Sequence, residues 1–455
     1  MQNGKAAQQR YDMLTQTPVP QLILKLSVPT IISMLVTGIY NTADTYFVGK
    51  ISTADTAAVG IVFSMMAMIQ ALGFFFGHGS GNYLSRMLGA GEEEEARNMA
   101  STGFVMAAMA GVVLAVLGIV FAYPLAYVLG AEATSVDKTV SYMRIILMGA
   151  PFMVCQFVIN NQLRFQGSAI YAMVGLFSGA IVNIALDPIL IFGFRMGISG
   201  AALATISAQM ISFFVLFAGT RKGANIRLSI KHIHINLHYL KEIVNGGAPS
   251  LLRQGLAAVA TLLMNNLARD LGGDAAIAAM SIVTRAVMMI ASVMIGFGQG
   301  FQPVCSFNYG AKLVGRVREG FFFCVRYGFL FLSLAAILLF VFAEPVIYWF
   351  RPDPEVVEIG KVAMRWQAVA LPIFSVSSMI NMMLQSMGRG VKASITASAR
   401  SGLCFIPLLL ILTHFFGLFG LEIAQACADI AALLISIPLA ADELRKMNRD
   451  VAEEA

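Results

Sequence analysis

Charge is what this chain has least of. Only 12% of its 455 residues are Asp, Glu, Lys or Arg, against roughly 25% in soluble domains. With 58% hydrophobic residues and a mean hydropathy of +0.76, an ordinary water-soluble globule is excluded. Cysteine and histidine are scarce too, five of each. Cys155, Cys305, Cys324, Cys404 and Cys427 fall in or beside apolar stretches and form no CxxC pair, so they read as small hydrophobes, not disulfides or ligands. His232, His234 and His238 suggest a metal clip, but a hydrated amphipathic connection accounts for them better. No HExxH, GxSxG or GxxxxGK[ST] motif occurs, which argues against a metalloprotease, a serine hydrolase and direct use of ATP. No enzyme, cofactor or nucleic-acid partner is expected, and the first twenty residues lack the pattern of a removable signal peptide.

What is present is length in the apolar runs. Twelve are long enough to cross roughly 30 Å of hydrocarbon: about 22–48, 56–86, 98–122, 138–164, 169–194, 199–220, 242–269, 276–309, 320–343, 362–387, 393–416 and 420–441. The expected fold is an all-α polytopic membrane protein of twelve transmembrane helices in two pseudo-symmetric six-helix lobes.

The symmetry comes from a duplication. An offset of 221 carries Arg144 to Arg365, Pro151 to Pro372, Asn160 to Asn381, Gly77 to Gly298, Gly79 to Gly300 and Gly167 to Gly388. Near both ends the offset is 220, pairing Pro29 with Pro249 and Gly197 with Gly417. A unit of roughly 200 residues is too long for a solenoid repeat and suits a two-lobed transporter. The divisions are a 1–21 N-terminal segment, a 22–220 N-lobe, a 221–241 basic linker, a 242–442 C-lobe and a 443–455 tail. Most of the 31 Lys and Arg fall on the side of the termini and the linker. By the positive-inside rule both termini are cytoplasmic, and the pI of about 9.1 reflects topology. The run Glu92 to Glu95 reads as a solvated helix start.

Acids inside apolar spans are costly and mark ion or substrate pathways. Asp187, in Asn183-Ile-Ala-Leu-Asp187-Pro188, shares a helical face with Asn183, and Pro188 is expected to bend the helix there. Asp44 lies in Asn41-Thr-Ala-Asp44-Thr-Tyr, and Thr205 offers a hydroxyl on span 6. All three fall at a similar depth, about 8 to 10 Å below the surface remote from the termini at roughly 1.5 Å per residue; sequence alone does not bring them together laterally. Their counterparts are not acids: Met264 or Asn265 for Asp44, Cys404 for Asn183, Leu408 for Asp187 and Gln425 for Thr205. A scaffold copied twice would want scaffold acids twice, which points to a function borne by one lobe, with a structural hydrogen bond as the alternative.

The duplication, the Asn-Thr-Ala-Asp-Thr-Tyr-Phe-Val-Gly end of span 1 and Asn-x-x-x-Asp-Pro in span 5 resemble the MATE multidrug and toxin extrusion family, over nearly the whole chain beyond residue 20. Within it the chain looks most like the bacterial DinF and MepA branch. The resemblance implies an inner-membrane antiporter that expels lipophilic, mostly cationic compounds in exchange for Na+ or H+. It also implies a cation or proton site at Asp44, Asn183, Asp187 and Thr205, which would be the metal ligands were the ion Na+. No acid matches the NorM-type site in spans 7 and 10. Asn160, Asn161 and Arg253 are candidate cavity residues, small lipophilic substrates and membrane lipids the expected partners, and a monomer the expected state. The competing reading is a flippase or exporter of a lipid-linked or anionic amphipathic cargo, for which Arg253, Arg285 and Arg400 would face the cavity.

Overall fold

Apolar runs of twenty or more residues close their backbone hydrogen bonds internally, the requirement that hydrocarbon imposes on a spanning segment. In the computed structural model every long run is accordingly helical. The structure describes residues 2–51, 53–133 and 135–454, and their side chains except those of 2–4, 41, 42, 45, 53, 54, 56, 57 and 450–454, so the side chains of Asn41, Thr42 and Thr45 lie outside the described ones.

The first half comprises α1 (Gln2–Gln16), α2 (Val19–Gly49), α3 (Thr53–Gly89), α4 (Glu93–Val120), α5 (Ala122–Val128), α6 (Val136–Phe165), α7 (Ala169–Pro188) and α8 (Ile198–Gly219). The second comprises α9 (Leu237–Gly310), α10 (Val314–Val341), α11 (Ala343–Phe350), α12 (Pro354–Ser386), α13 (Gly390–Ser398), α14 (Phe405–Phe416) and α15 (Leu418–Glu454). No strand occurs among the described residues.

By length and hydropathy eleven helical stretches among the described residues are long enough to cross a membrane, among them the 74-residue α9. That helix is two passes. Its backbone leaves helical geometry at Gly272 and Gly273. Gln385 donates to the Gly246 carbonyl and to Ser250 Oγ at 2.7 and 2.9 Å, and accepts from Gln302 at 3.3 Å. In one straight helix Gly246 and Gln302 would stand about 80 Å apart. The chain therefore doubles back, giving twelve passes.

Duplication is visible in the packing. Asn160 donates to the Ala172 carbonyl at 2.9 Å and its counterpart Asn381 to the Ala393 carbonyl at 2.7 Å. The short helices α5 and α11 also correspond at an offset of 221; both lie in what reads, from hydropathy, as a connection.

The halves meet on the side that carries the termini. Ser27 and Thr30 of α2 donate to the carbonyls of Phe297 and Gly296 at 3.0 and 2.7 Å, and Arg86 of α3 pairs with Glu242 of α9 at 3.0 Å. A Cβ on Gly79 would collide with the carbonyl of Ile243, and one on Gly300 with Ser27. Toward the far side a Cβ on Gly60 or Gly255 would meet nothing within 4 Å.

A buried polar chain stitches the closed side. Arg164 donates to His78 Nε2 at 3.1 Å and to Asn161 Oδ1 at 2.6 Å, and His78 Nδ1 lies 2.9 Å from Ser250 Oγ. Arg164 can only donate, so Nε2 accepts and the proton sits on Nδ1. Replacing His78 with Ala strands part of a buried guanidinium. It is expected to destabilise the protein by about 1–3 kcal/mol, measured as a lower melting temperature in detergent.

The acidic run opens α4 as expected, with Glu92 and Glu94 exposed, but Glu95 does more: its carboxylate accepts from Tyr83 and Tyr239, each at 3.0 Å, tying α4 to α3 and α9. The polar N-terminal segment folds as α1, fixed by Arg10 donating to the Ala224 carbonyl and by Arg316 and Asn308 reaching the Leu14 carbonyl.

Candidate functional site

Asp187 closes α7. Pro188, which has no N–H to donate, is followed by a π-helical turn over Ile189–Gly193, with the Phe194 N–H reaching back to the Ile189 carbonyl at 2.9 Å. The wider turn follows directly on a wholly buried carboxylate, Asp187 at 0% exposure. One turn earlier Asn183 offers Nδ2 to Asp187 Oδ1 at 3.5 Å, the outer limit of a hydrogen bond.

Helices α2, α6, α7 and α8 enclose a small cavity beside these residues. Its volume is about 20 Å³, enough for about one water-sized particle. Thr37 and Tyr40 face it from α2, Gln156 from α6, Asn183 from α7, and Thr205 and Gln209 from α8. Asp44 and Asp187 lie within electrostatic range of each other, and Tyr142 within range of both and beside Thr205. The four residues singled out in the sequence thus occupy one neighbourhood.

The chemistry of this neighbourhood is an excess of acceptors. Asp44 Oδ1, Asn183 Oδ1, Asp187 Oδ2, Gln156 Oε1 and Gln209 Oε1 are all buried without a hydrogen bond from the protein, as is the Tyr142 hydroxyl. Buried polar atoms are normally paired, so a cluster of exceptions requires an explanation. Carboxylate, amide and hydroxyl oxygens are the donor set of a hard cation, and two nearby carboxylates equally suit a proton.

Tyr40, Tyr142, Gln156 and Gln209 were not singled out in the sequence. A signal existed for two of them: Tyr40 stands four residues before Asp44, and Gln209 four after Thr205, each one turn away on the same helical face.

The candidate cavity residues are placed otherwise. Asn161 is fully buried against Gly77, donating to the Phe157 carbonyl at 2.7 Å and accepting from Arg164. Asn160 is held by the Ala172 carbonyl. Asn160 thereby joins α6 to α7, whereas the hydrogen bonds of Asn161 stay within α6. Arg253 lies inside the second half, its Nη1 donating to Asn381 Oδ1 at 3.3 Å.

In the linker, the Ser229 and His234 N–H groups donate to Ser101 Oγ and Thr102 Oγ1, and His238 sits 3.0 Å from the Tyr83 hydroxyl. Among the described residues no three His, Cys, Asp or Glu side chains gather as metal ligands would.

Comparisons with known proteins converge on this architecture. The sequence model of the MatE family matches twice, over residues 29–189 and 249–411, starting 220 residues apart. The multidrug export protein MepA of Staphylococcus haemolyticus (strain JCSC1435) is 28% identical over 428 residues, 92% of this chain and 94% of its own. MepA of Staphylococcus aureus (strain MSSA476) is 28% identical over 426 residues, with the same coverage. Among solved structures, MATE in complex with MaL6 superposes at a TM-score of 0.90 with 25% identity, covering 96% of this chain and 99% of its own. An outward-facing multidrug resistance MATE transporter of the MOP superfamily superposes at 0.89 with 25% identity, covering 96% and 98%. Two matches to one family model, in register with the internal duplication and spanning most of the helices, show that this chain belongs to the MatE family of membrane transporters.

Proposed function

We propose that the protein is a secondary antiporter of a bacterial inner membrane, with cytoplasmic termini, that exports lipophilic, mostly cationic compounds in exchange for Na+ or H+. The observation that carries this reading is the cluster of unpartnered acceptor oxygens around Asp187 in one half only. The relatives' printed name, multidrug export protein, supports the cargo class.

Two carboxylates about 5 Å apart at an effective dielectric near 20 repel by roughly 3 kcal/mol. Asp44 and Asp187 would therefore share a cation or a proton. When the cleft faces outward, an entering ion would meet Asp44, Asn183, Asp187 and Thr205 and draw α2, α7 and α8 together. That repacking would lower affinity for cargo in the cleft, and by linkage cargo would weaken the ion equally.

Ethidium efflux from energised vesicles, with Na+ and pH gradients imposed separately, tests the reading and names the ion. Efflux driven by either gradient is the expected result. Efflux under neither would transfer the reading to a lipid-linked or anionic amphipathic cargo.

A further inference from the structure

Duplication makes the two half interiors directly comparable, and beyond the acids Asp44 and Asp187 they differ in charge around the cavity. Gly179, Ala180, Thr205 and Gln209 line the first-half cavity. At offsets of 220 to 221 their counterparts are Arg400, Gln425 and Asp429, with Arg400 opposite the Gly179–Ala180 pair. In the second half these three side chains are joined: Arg400 Nε donates to Asp429 Oδ1 at 2.7 Å and Gln425 Nε2 to the same oxygen at 3.1 Å.

Asp429 is 4% exposed, and the Arg400 guanidinium also stacks 4.1 Å from the centre of the Phe374 ring. Arg400 stands in a π-helical turn, Ala399–Leu403, whose first-half counterparts are ordinary α-helix within α7. An extra residue in a turn changes which side chain points inward. The symmetry breaks where the arginine enters. Other charges bear on the pair: Arg253 from α9, within electrostatic range of Arg400, and buried Glu422, two turns before Asp429 on the same face of α15. No acceptor of Gln425 or Asp429 joins the buried, unpartnered atoms, in contrast to Gln209 and Asn183 of the first half.

We propose that Arg400 is a tethered cation: it occupies the second-half equivalent of the cavity beside the ion site, neutralises Asp429 throughout the cycle, and so restricts ion exchange to the first half. This rests on the first-half reading above. Arg400 is then a positioning residue, and the second half behaves as if already loaded.

Ion binding per chain, measured on purified full-length protein as radioactive Na+ bound at equilibrium and as protons taken up across a pH step, tests this. Wild type is expected to bind in one class of site, lost in Asp187→Asn. Arg400→Met uncovers Asp429 and is expected to add one ion per chain, retained when combined with Asp187→Asn. Arg400→Lys keeps a tethered charge and returns the wild-type count. Arg400→Met/Asp429→Leu removes both charges, remains folded if Arg400→Met alone does not, and also returns the wild-type count. Folded Arg400→Met with no added ion in either assay, or a changed count in the folded double variant, overturns the proposal. Wild type that takes up neither ion overturns the first-half reading first, and this inference with it.

Discussion

Asp187→Asn is expected to leave a folded protein that no longer converts an ion gradient into export. The substitution is nearly isosteric and keeps a polar group beside Asn183, whose amide stands 3.5 Å from the carboxylate, so the shape and packing at the buried end of α7 are preserved. What disappears is the negative charge that a cation or proton would neutralise. With that charge gone, cargo release no longer depends on the ion, and a coupling of ordinary size corresponds to a loss of about 5- to 150-fold in ion-dependent cargo affinity. Ethidium affinity titrated against Na+ and pH measures it: wild type should weaken as the ion loads, and Asp187→Asn should hold one value throughout. A wild-type affinity that is flat across both titrations would contradict the coupling.

Gly79→Val is expected to spring the closed side open. A Cβ at this position would run into backbone atoms of Ile243, and a backbone collision cannot be relieved by turning a rotamer. Gly246 of α9 faces Gly79 as well, and a Cβ there would stand 3.0 Å from the Gly79 Cα. Overpacking of this kind costs about 1–3 kcal/mol, all of it charged to the state in which the halves touch on the terminus side. At roughly 1.4 kcal/mol per tenfold, the balance moves by about 5- to 150-fold toward the state open on that side. Ser306→Cys in a background without other cysteines reports it, because Ser306 is fully buried and donates to Asn82 across the halves at 3.2 Å. Labelling by a thiol reagent should accelerate by that factor in Gly79→Val. It should be unchanged in Gly255→Ala, where a Cβ meets nothing within 4 Å.

The spans were legible because their length is set by the bilayer, which acts on hydrophobicity alone. Expected and observed ends agree within a few residues for most helices. The widest difference is at the end of α15, read to 441 but running to Glu454; the next is at the start of α12, read from 362 but starting at Pro354. Its first turns carry Glu355, Glu358 and Lys361, charges that stop a hydropathy window without stopping a helix. Helices α1, α5 and α11 escaped for related reasons: the first is polar, and the other two are shorter than a span.

The candidate site was legible by asymmetry. Asp44, Asn183, Asp187 and Thr205 stood out because the duplicate lacks them, and the structure gathers them with Tyr40, Tyr142, Gln156 and Gln209. A polar residue at the same depth can hold two helices together as readily as it can face a cavity, and what the structure adds for Asn160 is its bond to the Ala172 carbonyl, which joins α6 to α7.

From sequence alone came the membrane class, the twelve passes, the duplication and the unequal share of buried acids, all of which depend on composition and position along one chain. Tertiary structure decided which faces meet: that Asp44 and Asp187 approach each other, that the halves close on the terminus side, and that Arg400 finds Asp429. Each of these depends on the rotation of a helix about its own axis and on the neighbour it packs against. Hydropathy is nearly blind to that angle in a membrane, where lipid and protein interiors are about equally apolar.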